Sequence, residues 1–368
     1  MEACDQCLRR SFLIAHLAAR IAGLLGLPKA RRTPGLLALS NDELVRAATA
    51  AGGRARAHEF LDRFDPAAAR DRLDAGGFIA VCRHGAAYPP SLHALDDPPA
   101  VLFGLGQVEA LARVQKEPSV ALVGTRHPSP YGTEVAHAFG RGLGAAGVPV
   151  VSGLALGIDA SAHRGCLDAG GLAIAVLACG PDLAYPRRHR ALHERVRERG
   201  VVVSELPPGT QPFRWSFPAR NRIMVGLARM TLVVEAAQPS GSLISATFAR
   251  ELGRTVAVVP GRVTSSVAQG VNELLRDGAL PVTSTEDVLE ELFGVGVREV
   301  PPEALRPPRP RDPVLNAVLE AAELTGSVEQ IARAAGLSTG EARAALGRLE
   351  FDGHLVRRDL DGWERAAR

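Results

Sequence analysis

Between residues 119 and 283 the chain alternates short, unbroken apolar runs with helix-length stretches, and this pattern constrains the fold more than any other feature. The runs are 119–124 (SVALVG), 148–152 (VPVVS), 172–178 (LAIAVLA), 201–204 (VVVS), 231–235 (TLVVE) and 255–259 (TVAVV), with a weaker one at 280–283. A strand with one wet face alternates apolar and polar residues. These runs do not alternate, so both faces are expected to be covered, as in a parallel sheet held between two helical layers. The expected fold class is α/β, with a Rossmann-like, doubly wound core over residues 113–294.

On either side of the core the pattern changes. Apolar residues at helical spacing over 11–27, and start signals at Pro34, Asn41 and Asp42, predict a small helical module over 1–75. A turn-rich connecting segment, 76–112, includes YPPSLHALDDPPAVLFGLG with one strand-like piece. Prolines at 301, 302, 307, 308, 310 and 313 mark a stiff linker over 295–312. Beyond it, helix patterns at 313–323, 327–335 and 338–352, then a hairpin turning at Asp361–Gly362, predict a winged helix-turn-helix over 313–368.

No apolar run reaches the roughly 18 residues of a membrane span, and the first residues lack a clean signal-peptide core. Five cysteines at scattered positions fit a reducing compartment, so a cytoplasmic location is expected. Cys4 and Cys7 form one CxxC, but no second pair or nearby histidine pair follows in sequence. The expectation is therefore a coincidence, with no metal site. Only Lys29 and Lys116 are lysine among 43 basic residues, so any anion site is built from arginine forks.

In an open α/β sheet, ligands gather beyond the carboxyl ends of the strands. Three glycine-containing strand ends fall there: Gly124-Thr125-Arg126, the Ser152–Gly153 loop, and Ser240-Gly241-Ser242 ahead of a helix. A fourth element is QPFRWSFPARNRIM (211–224). Its alternation predicts an extended aromatic strip of Phe213, Trp215 and Phe217 on one face, running into a helix start that carries Arg214, Arg220, Asn221 and Arg222. Aromatic faces stack nucleobases, while guanidinium forks and helix N–H groups hold phosphates.

Several motifs are missing. No GxGxxG follows the first strand, no GxxxxGK[ST] occurs, and no nucleophile with a base or paired carboxylates is apparent. Asp159 and His163, four apart, are expected to be a helix-capping Asp and a hydrogen-bonded His. The chain reads as a binder that needs no cofactor and performs no catalysis.

The ordered set YPPSL…DDPPAVLFGLG, VGTR, SGLALGIDASAH, CGPDLAYP, SELPPG, FPARNRIMVGLAR, VVEAAQPSGSLISA and VPG…GVNELLRDGA resembles the DNA-processing protein A (DprA/Smf) family. The resemblance implies binding of single-stranded DNA, homodimers, and delivery of incoming strands to the RecA recombinase during natural transformation; displacement of a single-strand-binding protein is a further expectation. It implies an N-terminal module similar to sterile-alpha-motif domains and a C-terminal winged helix. Carried over by motif, it assigns phosphate contacts to Arg126, Ser152, Gly153, Arg214, Arg220, Asn221 and Arg222, and base stacking to Phe217. It also places self-association around Asn272–Leu280, where Leu274, Leu275 and Leu280 are the apolar candidates.

A rival reading is a nucleoside-monophosphate phosphoribohydrolase resembling the lysine-decarboxylase-like (LOG) enzymes. It suffers from PSGSLISATF, which lacks a carboxylate until Glu251. A third, a duplex-reading regulator, suffers from a winged-helix segment with seven basic and nine acidic side chains. There, a protein-contact role or weak DNA binding through Arg357 and Arg358 is the expectation.

Overall fold

The computed structural model describes residues 3–25, 35–107, 109–301, 309–310, 312–324, 327–358 and 362–365. The chain forms two compact units, Met1–Glu299 and Val300–Arg368. The expected start signal at Pro34, Pro302, Pro307 and Pro308 of the linker, and Asp361 of the hairpin turn lie outside the described residues.

The first unit opens with four helices: α1 (Asp5–Leu25), α2 (Asn41–Ala48), α3 (Ala51–Arg63) and α4 (Pro66–Ala75). Then come β1 (Ile79–Cys82), β2 (Val101–Gly106), α5 (Glu109–Lys116), β3 (Val120–Val123), α6 (Pro130–Ala145), β4 (Val150–Ser152), α7 (Ile158–Asp168) and β5 (Ala173–Leu177). The rest is α8 (Arg190–Arg199), β6 (Val201–Ser204), α9 (Ser216–Leu227), β7 (Met230–Val233), α10 (Gly241–Glu251), β8 (Thr255–Val258), α11 (Gln269–Arg276), β9 (Leu280–Pro281) and α12 (Thr285–Phe293).

Nine strands form one sheet in the order β1-β2-β6-β5-β4-β3-β7-β8-β9. Every residue of β3, β4, β5, β6 and β7 is buried, as their unbroken apolar sequences require. From β6 to β9 neighbouring strands run parallel. The connecting segment does more than join: β1 pairs antiparallel with β2, and β2 antiparallel with β6, so the sheet is mixed at that edge. Starting at β3 the chain steps outward to β6, then returns to the other side of β3 with β7. The order therefore reverses between β3 and β7, and the crevice beyond their carboxyl ends is where a doubly wound sheet takes its ligand.

Two smaller cores attach the N-terminal helices to the sheet. One gathers Leu13, Leu17 and Ile21 of α1 with Leu44 and Val45 of α2, and with Leu206, Trp215 and Ala219. The other gathers Cys7, Leu8 and Leu73 with Ala80, Val101 and Phe103 of the edge hairpin. Among the described residues no helix is long and apolar enough to cross a membrane.

The second unit holds α13 (Pro313–Leu324), α14 (Val328–Ala335), α15 (Thr339–Phe351) and a hairpin of β10 (Leu355–Arg358) with β11 (Gly362–Arg365). Its core is Val318, Leu319, Ile331, Leu346, Leu349 and Leu355. This is the three-helix and wing arrangement of a winged helix.

Candidate nucleic-acid interface

Beyond the ends of β3 and β7 lies a cleft of about 380 Å³. The turn after β3 supplies Gly124, Thr125 and Arg126, the start of α7 supplies Asp159, and the start of α10 supplies Ser240, Gly241 and Ser242. The fourth wall is one face of α9: Phe217, Arg220, Asn221 and Met224. Their spacing of three, four and seven residues is that of a single helical stripe. Three helices thus begin at the cleft, and their N-terminal ends favour negative charge.

The expected extended strip does not form. Trp215 already has helical dihedrals (φ −71°, ψ −29°) as the residue before α9, so the alternation rule fails from there on. Trp215 turns inward, is 4% exposed, and its indole Nε1 donates to the Ala18 carbonyl of α1 at 3.0 Å. Phe213 packs against the same cluster. Phe217 lies on the cleft side. The exposed Arg126 sets its guanidinium carbon 4.9 Å from the centre of the Phe217 ring, and the Tyr185 ring centre lies 5.6 Å from it, tilted by 52°. Tyr185 is 47% exposed and was missed by sequence reasoning, although the CGPDLAYP motif contains it.

Arg220 forms the floor. Only 5% exposed, it donates from Nη1 to the Val176 carbonyl (3.0 Å) and lies 3.8 Å from the Asp159 carboxylate, while its Nε has no hydrogen-bond partner. A Cβ on Gly153 would overlap this guanidinium, so glycine is required there by space. The Gly153 N–H donates to Asp159 at 3.1 Å. Burial pushes the Asp159 carboxyl up, opposed by Arg220 and by the N–H groups of Ala155 and Gly153. Asn221 donates to the Gly241 carbonyl at 3.2 Å, tying α9 to the start of α10. Ser240 caps α10, accepting from the Ser242 N–H at 3.3 Å, and its hydroxyl meets that of Ser242 at 2.7 Å.

The structure turns three of the assigned phosphate contacts, Arg222, Ser152 and Gly153, toward other partners, and sets a fourth, Arg214, outside the cleft lining. Arg222 stands two residues beyond Arg220, hence about 200° around the helix. It is 2% exposed, with Nε donating to Asp97 (2.6 Å) and Nη1 and Nη2 to Glu205 (3.0 and 2.8 Å). Two carboxylates hold it charged, and it is structural. Ser152 is fully buried and its hydroxyl donates to the Leu122 carbonyl at 2.6 Å. Gly153 spends its N–H on Asp159 and serves by leaving room for Arg220. Arg214 is exposed, ahead of α9, and is not part of the cleft lining.

His163 is fully buried, and burial lowers its pKa to about 3, opposed by a hydrogen bond with the Ser152 backbone. Among the dimer candidates Leu274 belongs to the main core and is 7% exposed, so it has no surface to offer. Leu275 and Leu280 are half-buried. Among the described lining residues the one carboxylate is Asp159, and Glu251 ends α10 away from the cleft. On α15, Glu341 is used in a capping box, Arg343 lies 3.9 Å from Glu329, and Arg348 pairs with Asp352 at 2.8 Å. Arg357 and Arg358 fall in β10, and their side chains lie outside the described residues.

The expectation that Cys4 and Cys7 stand alone is also corrected. The end of β1 brings Cys82 and His84 to them, and the four ligand atoms lie within 4.8 Å of one another.

Residues 80–293 match the family model described as DNA recombination-mediator protein A. The chain belongs to that family. Residues 301–359 match the DprA winged helix domain. A putative DNA processing protein DprA of Mycobacterium tuberculosis is 40% identical over 287 residues, covering 77% of this chain and 72% of the relative. The crystal structure of DprA from Streptococcus pneumoniae aligns with a TM-score of 0.62 and 32% identity over 79% of this chain and 99% of that one. DprA from Helicobacter pylori, studied for its single-stranded DNA binding mode, aligns with a TM-score of 0.52 and 30% identity over 59% of this chain and 95% of that one. The Streptococcus alignment accords with the α/β sheet and N-terminal helices of this DprA-family chain.

Proposed function

We propose that this DprA-family chain binds single-stranded DNA in the β3/β7 cleft, does no chemistry on it, and passes it to a RecA-type recombinase. The observation that carries the binding half is the Arg126–Phe217 pair, a cation resting on an accessible aromatic ring above the buried Arg220. A base takes the Phe217 ring as its stacking platform, and Arg126 swings to the adjoining phosphate. Gly241 and Ser242 present the first turn of α10 to a second phosphate, Arg214 adds charge at the approach, and Asn221 keeps α9 and α10 in register. Arginine forks in a local cleft, in a chain of net charge +3, suit a tracked single strand better than a broad duplex face.

Family membership supports the recombinase half, along with homodimer formation, a cytoplasmic site of action in natural transformation, and competition with a single-strand-binding protein. The absence of a free carboxylate among the described lining residues supports a non-catalytic role.

Competition between single- and double-stranded oligonucleotides at two salt concentrations tests the binding. Single strands should win, and Arg126→Ala should reduce the log–log salt slope by about 0.7 for its lost phosphate contact. Incubation with nucleoside monophosphates should release no free base. Turnover that survives purification and vanishes in Arg220→Ala would overturn the non-catalytic reading.

A further inference from the structure

The start of α1 and the end of β1 converge on a second chemical centre, built from residues that do not line the cleft. Cys4 is the residue just ahead of α1, its carbonyl accepting from the Leu8 N–H at 3.0 Å, and Cys7 lies in the first turn of the helix. β1 ends at Cys82, and a turn closed by the Gly85 N–H on the Cys82 carbonyl (2.8 Å) presents His84 to both. The Sγ atoms of Cys4 and Cys7 each lie 3.4 Å from His84 Nδ1, and the Cys4 N–H points at Cys82 Sγ from 3.5 Å. All four cysteine and histidine donors fall within 4.8 Å of one another.

A tetrahedral zinc ion, with bonds of about 2.3 Å to sulfur and 2.0–2.1 Å to nitrogen, separates neighbouring donors by roughly 3.5–3.8 Å. The two Cys–His separations match such an edge already, and small side-chain rotations close the rest. We propose that Cys4, Cys7, Cys82 and His84 form a structural zinc site of the Cys₃His type. Three thiolates and an imidazole are the donor set this borderline-soft ion selects, and four protein ligands leave no open position for catalysis.

The site has a mechanical meaning. It clips the N-terminal end of α1 to the antiparallel edge hairpin, at the top of the small core that contains Leu8, Ala80 and Phe103. Further along the same helix, the Ala18 carbonyl holds Trp215, the residue just ahead of α9 and its Phe217–Arg220 face. The metal fixes the helix against which the DNA-binding wall leans. It touches no residue of that wall, so metal loading and DNA binding are separable in experiment.

The test uses the full chain, purified reduced and without added chelator. Elemental analysis should find about one zinc per chain. Replacement by cobalt(II) should give the intense visible d–d absorption of a tetrahedral thiolate complex. Cys82→Ser should lose the metal. Because a buried cysteine variant can misfold, His84 is the sharper probe, since it is exposed. His84→Ala should weaken zinc binding at least tenfold, while His84→Cys should keep one zinc and shift the cobalt spectrum toward that of four thiolates. A folded wild-type chain that takes up no zinc from zinc-supplemented buffer would overturn the proposal. So would a six-coordinate cobalt spectrum, or unchanged zinc affinity in His84→Ala.

Discussion

Replacing Arg222 separates the structural account from the one its sequence neighbourhood implies. Among FPARNR it looks like a phosphate ligand. In the fold it lies fully inside, clamped by Asp97 at 2.6 Å and by Glu205 at 2.8 and 3.0 Å. Arg222→Ala strands two carboxylates that are themselves 14% and 9% exposed. Removing one partner from a buried ion pair costs about 3–5 kcal/mol, because the other charge stays desolvated. The cost falls on folding and not on the cleft, since the side chain points about 200° away from Arg220. Urea denaturation followed by circular dichroism should therefore show a loss of about 3–5 kcal/mol. DNA affinity, measured on protein still folded without denaturant, should stay within about twofold of wild type. Adding Asp97→Asn and Glu205→Gln to Arg222→Ala should recover part of the stability, since no uncompensated charge remains. A variant as stable as wild type that loses DNA affinity would refute this reasoning and restore Arg222 to the binding site.

Trp215→Ala should destabilise by about 3–5 kcal/mol, the usual cost of truncating a buried aromatic, with a further loss from its hydrogen bond to Ala18; urea denaturation measures it, and an effect below about 1 kcal/mol would contradict the packing role. His163 is neutral when folded, with its pKa lowered from 6.5 to about 3. The unfolded chain therefore binds an extra proton below pH 6.5, and His163 lowers stability progressively from there toward pH 3, by at most about 1.4 kcal/mol per pH unit. The difference in urea midpoint between pH 7 and pH 5 should be smaller in His163→Leu than in wild type; equal differences would contradict the burial of the neutral ring.

The sheet was legible because each central strand is an unbroken apolar run, and only a strand covered on both faces tolerates that. The crevice was legible too, because glycine-containing strand ends mark where backbone meets ligand. What stayed hidden depends on partners far away in sequence. Arg222 meets Asp97 across 125 positions, and Cys4 meets Cys82 across 78, so neither local spacing nor composition reveals them. Had Cys82-Arg83-His84 been read as half of a ligand set, the CxxC at Cys4 would have gained its complement. The aromatic strip failed for a different reason. Alternation describes a strand, but α1 draws Trp215 inward through tertiary contact, and the helix begins one residue later. The edge strands β1 and β2 were missed in part because they sit in a turn-rich segment.

The most direct test of the central claim is a fluorescence-anisotropy titration of a labelled single-stranded oligonucleotide with wild type and Phe217→Ala, paired with thermal melts of both proteins. One stacking contact is worth about 1–3 kcal/mol, or roughly 5- to 150-fold in affinity. Phe217 is half-buried at the cleft, beside Arg126 and Tyr185. The expected result is at least a tenfold loss of single-strand affinity with a melt close to wild type. Wild-type affinity in Phe217→Ala, or a preference of the wild-type chain for duplex, would contradict the account.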